Sequence, residues 1–201
     1  MLDAPLRPVI DGPLNAAGGM LARSGLSATA VTVAGLFVGL LAAIAIALHA
    51  YAAGFALILL NRLLDGLDGA VARASAATDR GGYLDIVVDY VFYAGIPLAF
   101  ALAEPSSNAL PAAALLAGFC LTCSSFLTFA AIAARRGLET GAHGRKSFFY
   151  STGLVEGTET IVFFLLMAAV PQWFALLAWI FAGLCGLTAI QRAMLAMKVF
   201  S

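Results

Sequence analysis

The sequence predicts an all-α integral membrane protein, with six transmembrane helices behind an N-terminal interfacial segment. Three observations carry this. Of 201 residues, 62% are hydrophobic and 11% are charged, against roughly 25% charged in a soluble domain. Mean hydropathy is +0.97, more apolar surface than one soluble core of this size hides. The apolar runs also have bilayer lengths, and the basic residues fall at one set of their ends. The formal net charge of zero argues against nucleic acid as a partner.

Residues 1–25 form the interfacial segment. Arg7 and Arg23 sit there among three prolines and two aspartates, without the compact apolar stretch of a signal peptide, so the segment is placed on the inner leaflet. From Ala28 to Arg73 there are 46 residues, about 69 Å of helix. A hydrocarbon core of about 30 Å divides this into two spans, about 27–48 and 51–75, with the turn near His49. A third span covers about 82–103 and ends at EPSSN (104–108), residues suited to a turn. The fourth runs about 109–134 and stops at RRG (135–137), before a polar loop to Lys146. The fifth occupies about 147–170, Pro171 interrupts, and the sixth takes about 172–194. With no internal repeat, the whole of 1–201 reads as a single membrane domain.

Orientation follows from charge. Arg7, Arg23, Arg80, Arg135, Arg136, Arg145, Lys146 and Lys198 share one side, while the loops near 49, 106 and 171 hold no Lys or Arg. The positive-inside rule puts both termini in the cytoplasm, as expected for an inner-membrane protein. Cys120, Cys123 and Cys185 all lie in apolar runs. With two histidines in the chain, they read as small buried residues rather than a zinc site.

The second and third spans contain charges that lipid disfavours. Asp65 and Asp68 are three residues apart, and Asp85 and Asp89 four apart, so each pair shares a helix face. A short linker rich in small residues brings the two pairs together near the inner face. Each acid costs roughly 2.5–3.5 kcal/mol at mid-bilayer, or on the order of 10 kcal/mol for four. Pairing with Arg62 and Arg73, or partial protonation, is the structural explanation. The functional one is a divalent metal. Carboxylates without His or Cys make a hard oxygen site for Mg²⁺, Mn²⁺ or Ca²⁺, and four suffice for the two ions of a phosphoryl displacement. Gly69, against helix propensity, admits close approach of a ligand. Gly66 and Gly81 fit either ligand approach or helix packing. Arg73, two turns beyond Asp65, is placed to meet a diphosphate.

The segment DGLDGAVARASAATDRGGYLDIVVD (65–89) resembles the signature of the CDP-alcohol phosphotransferases, D-x2-D-G-x2-A-R-x7/8-G-x3-D-x3-D. Its defined positions are Asp65, Asp68, Gly69, Ala72, Arg73, Gly81, Asp85 and Asp89. In LSATAVTVAG (26–35), Ala28 and Thr29 stand where the family often has Pro-Asn, and Thr32 is retained. The resemblance implies a homodimeric membrane enzyme that moves a substituted phosphate from a CDP-linked donor to an alcohol and releases CMP. It implies two ions, Mg²⁺ or Mn²⁺, on Asp65, Asp68, Asp85 and Asp89. Asp89 is the implied general base, and Gly69, Arg73 and Thr32 are the implied nucleotide contacts.

The implied donor is a CDP-linked lipid, CDP-diacylglycerol, and the acceptor a small alcohol such as glycerol 3-phosphate or another polyol. The alternative is transfer of a headgroup from a soluble CDP-alcohol to a lipid. An acceptor phosphate needs cations, for which Arg135, Arg136, Arg145 and Lys146 are candidates, with Arg192 behind them. Their other reading is topology and attraction to lipid headgroups. Glu156 and Glu159, one turn apart in the fifth span, lie outside the signature. They read as a structural pair for Arg62 or as part of a polyol pocket. From a different class, midplane carboxylates would also suit a divalent-cation transporter.

Overall fold

A computed structural model describes residues 3–75, 77–137 and 153–201, with the backbone alone for 3–10. The described residues form seven α-helices and no strand. They are α1 (Asp3–Arg23), α2 (Ala28–Ala47), α3 (Tyr51–Ala74), α4 (Asp79–Ala103), α5 (Pro105–Arg135), α6 (Gly157–Ala169) and α7 (Phe174–Val199), the last entered through a 3₁₀ turn at Pro171–Trp173. This is an all-helical membrane protein.

Helix ends follow from local chemistry. The Ser27 side chain accepts from the Ala30 N–H to start α2, and Thr78 does the same for Gly81 at α4, each satisfying an orphan donor of the first turn. Between α2 and α3, His49 adopts φ +62°, a left-handed conformation uncommon for a side chain of this size. Its Nδ1 lies 3.0 Å from the Tyr51 hydroxyl, which braces the turn. Gly137, at φ +64°, ends α5 in the usual way.

Two expected boundaries need correction. EPSSN is not a free turn. Pro105 is the first residue of α5, a position where its missing N–H costs nothing, and buried Asn108 donates to the Phe100 carbonyl at 3.1 Å. Only Glu104 separates α4 from α5. The fifth span, expected from about 147, begins as helix at Gly157, because residues 153–156 are non-helical; 147–152 lie outside the described residues.

Among the described residues, four helical stretches combine the length and apolarity needed to cross a bilayer: Ala28–Ala47, Asp79–Ala103, Pro105–Arg135 and Pro171–Val199. Helix α3 has the length, with 24 residues, but carries the charged motif. Helix α6 has 13 residues, about 20 Å. Large apolar side chains such as Phe37, Ile44, Leu102 and Leu121 point outward, as lipid contact requires. Cys120 is among the exposed residues while Cys185 is buried, so Cys120 is no core residue as expected from its run.

Inside, aromatic rings bind the helices. Phe100 of α4 stacks on Phe174 of α7 at 4.4 Å, and Phe163 of α6 on Phe181 of α7 at 4.4 Å. Helix α1 packs on the charged half of α3. A Cβ on Gly18 would lie 2.5 Å from the Ala70 Cβ, so this crossing depends on glycine.

Candidate active site

Helices α3 and α4 both pack on α2. The i,i+3 pair of α3 then faces the i,i+4 pair of α4. One oxygen each from Asp65, Asp68 and Asp85 lies within 4.8 Å of the others. Asp68 is buried and Asp85 exposed, so the cluster runs from the interior outward. The recess around it is lined by Thr32, Gly35, Asn61, Arg62, Val88 and the four aspartates, with a volume of about 10 Å³. That is room for about one water molecule.

Asp89 stands apart from this group. Its Oδ1 accepts from both terminal nitrogens of Arg62, each at 3.1 Å. Arg62 Nη1 also lies 3.6 Å from Asp65 Oδ2. The guanidinium is held from behind: its Nε and Nη2 donate to Asn61 Oδ1 at 2.9 and 2.6 Å. Asn61 is itself buried and donates to the Gly35 carbonyl at 2.8 Å. A Cβ on Gly39 would lie 3.1 Å from Asn61 Nδ2 and 3.0 Å from Phe92, so glycine there makes the room Asn61 needs. The guanidinium carbon sits 4.5 Å from the Phe92 ring centre and 5.7 Å from that of Tyr93, within cation–π range.

The Thr32 hydroxyl lies 2.8 Å from Asp68 Oδ2 and 3.0 Å from the Ala28 carbonyl. Expected at the nucleotide, Thr32 here touches the deepest aspartate. Arg73 turns toward α1, donating to Asn15 Oδ1 at 3.1 and 2.9 Å. A Cβ on Gly69 would meet the tip of Arg73 at 3.2 Å, whereas one on Gly66 would meet Leu14 at 2.8 Å. Gly66 therefore serves packing, and Gly69 borders the Arg73 guanidinium.

The expected acceptor cations separate. Arg136 donates to the Phe200 carbonyl at 2.9 Å and covers its ring, which ties α5 to the end of α7. Arg135 is exposed at the same helix end. Arg145 and Lys146 lie outside the described residues. Arg192 is buried, donating to the Thr122 carbonyl at 3.1 Å beside Phe126. Glu156 and Glu159 cap α6: Glu156 Oε1 accepts from the Gly153 N–H, and Glu159 Oε2 from the Glu156 N–H, both at 3.1 Å. Their structural role is helix capping, while Arg62 is taken by Asp89 and Asp65. Asn61 escaped the sequence reading altogether. Its signal was two polar residues side by side, Asn61 and Arg62, in an apolar run.

The donor set suits a hard divalent ion. Oxygens on one such ion are up to about 4–5 Å apart, which the 4.8 Å limit of the three carboxylates meets. Fold and site together define a helical membrane protein with a carboxylate cluster shared by α3 and α4. The family profile described as CDP-alcohol phosphatidyltransferase matches residues 26–190, and the chain belongs to that family of phosphotransferases. It is 47% identical over 192 residues to the inner membrane protein YnjF of Escherichia coli, covering 96% of this chain and 93% of that one. An archaetidylinositol phosphate synthase of Pyrococcus horikoshii is 33% identical over 98 residues, 48% of this chain and 52% of the relative. In fold the chain is similar to the crystal structure of Mycobacterium tuberculosis phosphatidylinositol phosphate synthase (PgsA1) with CDP-DAG bound. The TM-score is 0.71 at 20% identity, over 90% of this chain and 92% of the other.

Proposed function

We propose that this enzyme transfers phosphatidyl from CDP-diacylglycerol to a small alcohol, releasing CMP, in a divalent-metal-dependent step of phospholipid biosynthesis. The observation that carries the reading is the convergence of Asp65, Asp68 and Asp85 within 4.8 Å, inside the region that matches the family. A lipid donor is supported by the apolar outer surface and by the mycobacterial protein of similar fold, solved with CDP-DAG bound. The acceptor is glycerol 3-phosphate or another small polyol. The archaeal relative's name, an inositol phosphate lipid synthase, favours an acceptor that carries a phosphate. Arg135, Arg136, Arg145 and Lys146 are its candidate cations, with the interior Arg192 behind them. We place the enzyme in the inner membrane as a homodimer, with both termini and the site on the cytoplasmic side.

In this reading Asp65, Asp68 and Asp85 would hold a first Mg²⁺ or Mn²⁺, and a second would need Asp89 as well. Metal bound there would supply positive charge against the donor's diphosphate. Arg73 and the open backbone at Gly69 receive the nucleotide end of that diphosphate. Asp89 accepts the proton of the acceptor hydroxyl. The new oxygen–phosphorus bond forms as the phosphoanhydride bond to CMP breaks, and the electron pair leaves with CMP. Thr32 keeps the Asp68 carboxylate oriented throughout.

The test is CMP release from CDP-diacylglycerol by the full chain in vesicles, with a panel of polyols and polyol phosphates. Release should need Mg²⁺ or Mn²⁺ and fall at least about a hundredfold in Asp68→Asn. Undiminished release in that variant, or none with any acceptor, would reject the assignment.

A further inference from the structure

Arg62 is the most thoroughly built cation among the described residues, and the proposed reaction gives it no part. It makes two hydrogen bonds to Asn61 and lies against Phe92, while Asn61 is itself fastened to the backbone of α2. Such a guanidinium does not move freely with its partner; the partner comes to it. That partner is Asp89, whose Oδ1 receives both terminal nitrogens at 3.1 Å. The other three aspartates converge, and Asp89 is absent from their group. All four belong to one recess, so distance along the fold does not explain the separation. The guanidinium does.

We propose that Arg62 is a positioning residue that holds the Asp89 carboxylate out of the three-aspartate cluster. In the nucleotide-free protein a divalent ion then meets Asp65, Asp68 and Asp85 alone. Asp89 stays on the guanidinium until a second ion is taken up. An arginine suits this task better than a lysine: its planar fork grips Asn61 and Asp89 at once. The inference rests on the reading of the cluster as a metal site.

Mn²⁺ binding to the full chain in nanodiscs, without nucleotide and followed by electron paramagnetic resonance, tests it independently of turnover. Arg62→Gln frees Asp89 and removes a nearby positive charge, so Mn²⁺ should bind at least about tenfold more tightly. In Arg62→Gln/Asp89→Asn the gain should disappear, returning affinity to within about threefold of wild type. A purely structural Arg62 predicts the reverse: Arg62→Gln weakens binding, and the second substitution restores nothing. Equal or weaker binding in Arg62→Gln, or a gain that survives the second substitution, would overturn the proposal. Arg62→Lys preserves charge and stem, and guards against loss of fold in the glutamine variant. Lacking the fork, it should still tighten binding by about threefold, and wild-type affinity there would count against the proposal. Should wild type show no saturable Mn²⁺ binding that Asp68→Asn abolishes, the metal reading falls and this one with it. Binding that ignores Arg62 removes this inference alone.

Discussion

Thr32→Val isolates one contact of the site. Valine has the shape of threonine without the hydroxyl, and the helix loses little, because the Ala28 carbonyl retains its place in the α2 ladder. What disappears is the 2.8 Å hydrogen bond to Asp68 Oδ2, between two residues that are 6% and 5% exposed. Water has little access to replace it. Hydrogen bonds to charged groups contribute about 1.5–3 kcal/mol, and loss of a partner that orients a metal ligand costs about 10–100-fold in affinity. The two scales agree at about 1.4–2.8 kcal/mol. Thr32→Val should therefore raise the Mn²⁺ dissociation constant by about tenfold or more, and shift the Mg²⁺ dependence of CMP release to match. Thr32→Ser, which restores the hydroxyl, should recover most of the loss. If the valine variant binds metal within about twofold of wild type, the hydroxyl does not orient Asp68 and the argument fails.

Two further outcomes follow from the same geometry. Phe164 is fully buried, with the rings of Phe92, Phe119 and Tyr93 at 5.8, 6.1 and 6.3 Å. Phe164→Ala should lower unfolding stability in mixed micelles by about 3–5 kcal/mol, whereas Phe37→Ala, at 61% exposure, should change it by about 0.5 kcal/mol or less; equal effects would refute the packing described. CDP should raise the melting temperature of the enzyme only when Mg²⁺ or Mn²⁺ is present, by an amount that saturates with CDP. Stabilisation by the metal alone, with CDP inert, is the result expected of a cation transporter and would displace the transferase reading.

The fold class was legible because lipid imposes long apolar runs, and such runs survive any detail of packing. That the stretch from Ala28 to Arg73 holds two spans was legible from length, since 46 residues cannot be one span. The boundary at 104–108 was misjudged because the same residues serve two ends: proline and serine that loosen a turn also open a helix. The fifth span was misjudged for a related reason. Its entry, Gly153 to Glu156, is apolar enough to pass for helix, but the Glu156 and Glu159 side chains cap the backbone there and set the true start at Gly157. Of the site, the two aspartate pairs could be read from spacing within each helix. What spacing omits is rotation between helices. That rotation brings Asp85 to Asp65 and Asp68 and puts Asp89, one turn on, within reach of the Arg62 guanidinium. Thr32 reaching Asp68 across 36 residues is the same kind of fact.

The energetic puzzle of acids in an apolar helix resolves by partial compensation. Asp68, the deepest, has the Thr32 hydroxyl. Asp89 has Arg62, and Asp65 lies near enough to Arg62 to share it. Asp85 is exposed and Asp65 retains 37% side-chain exposure, so the cost of burial falls mainly on Asp68 and Asp89. Even so, the residues that line the recess include four carboxylates and a single guanidinium. A fold optimised for stability alone would replace one or two of these acids with apolar residues, since such pairs are often no more stable than well-packed hydrophobic substitutes. Their retention as a cluster fits the trade of stability for function seen at active sites. In the function proposed, a divalent cation would add positive charge to this recess, and the Arg62 guanidinium would hold Asp89 back from the first ion.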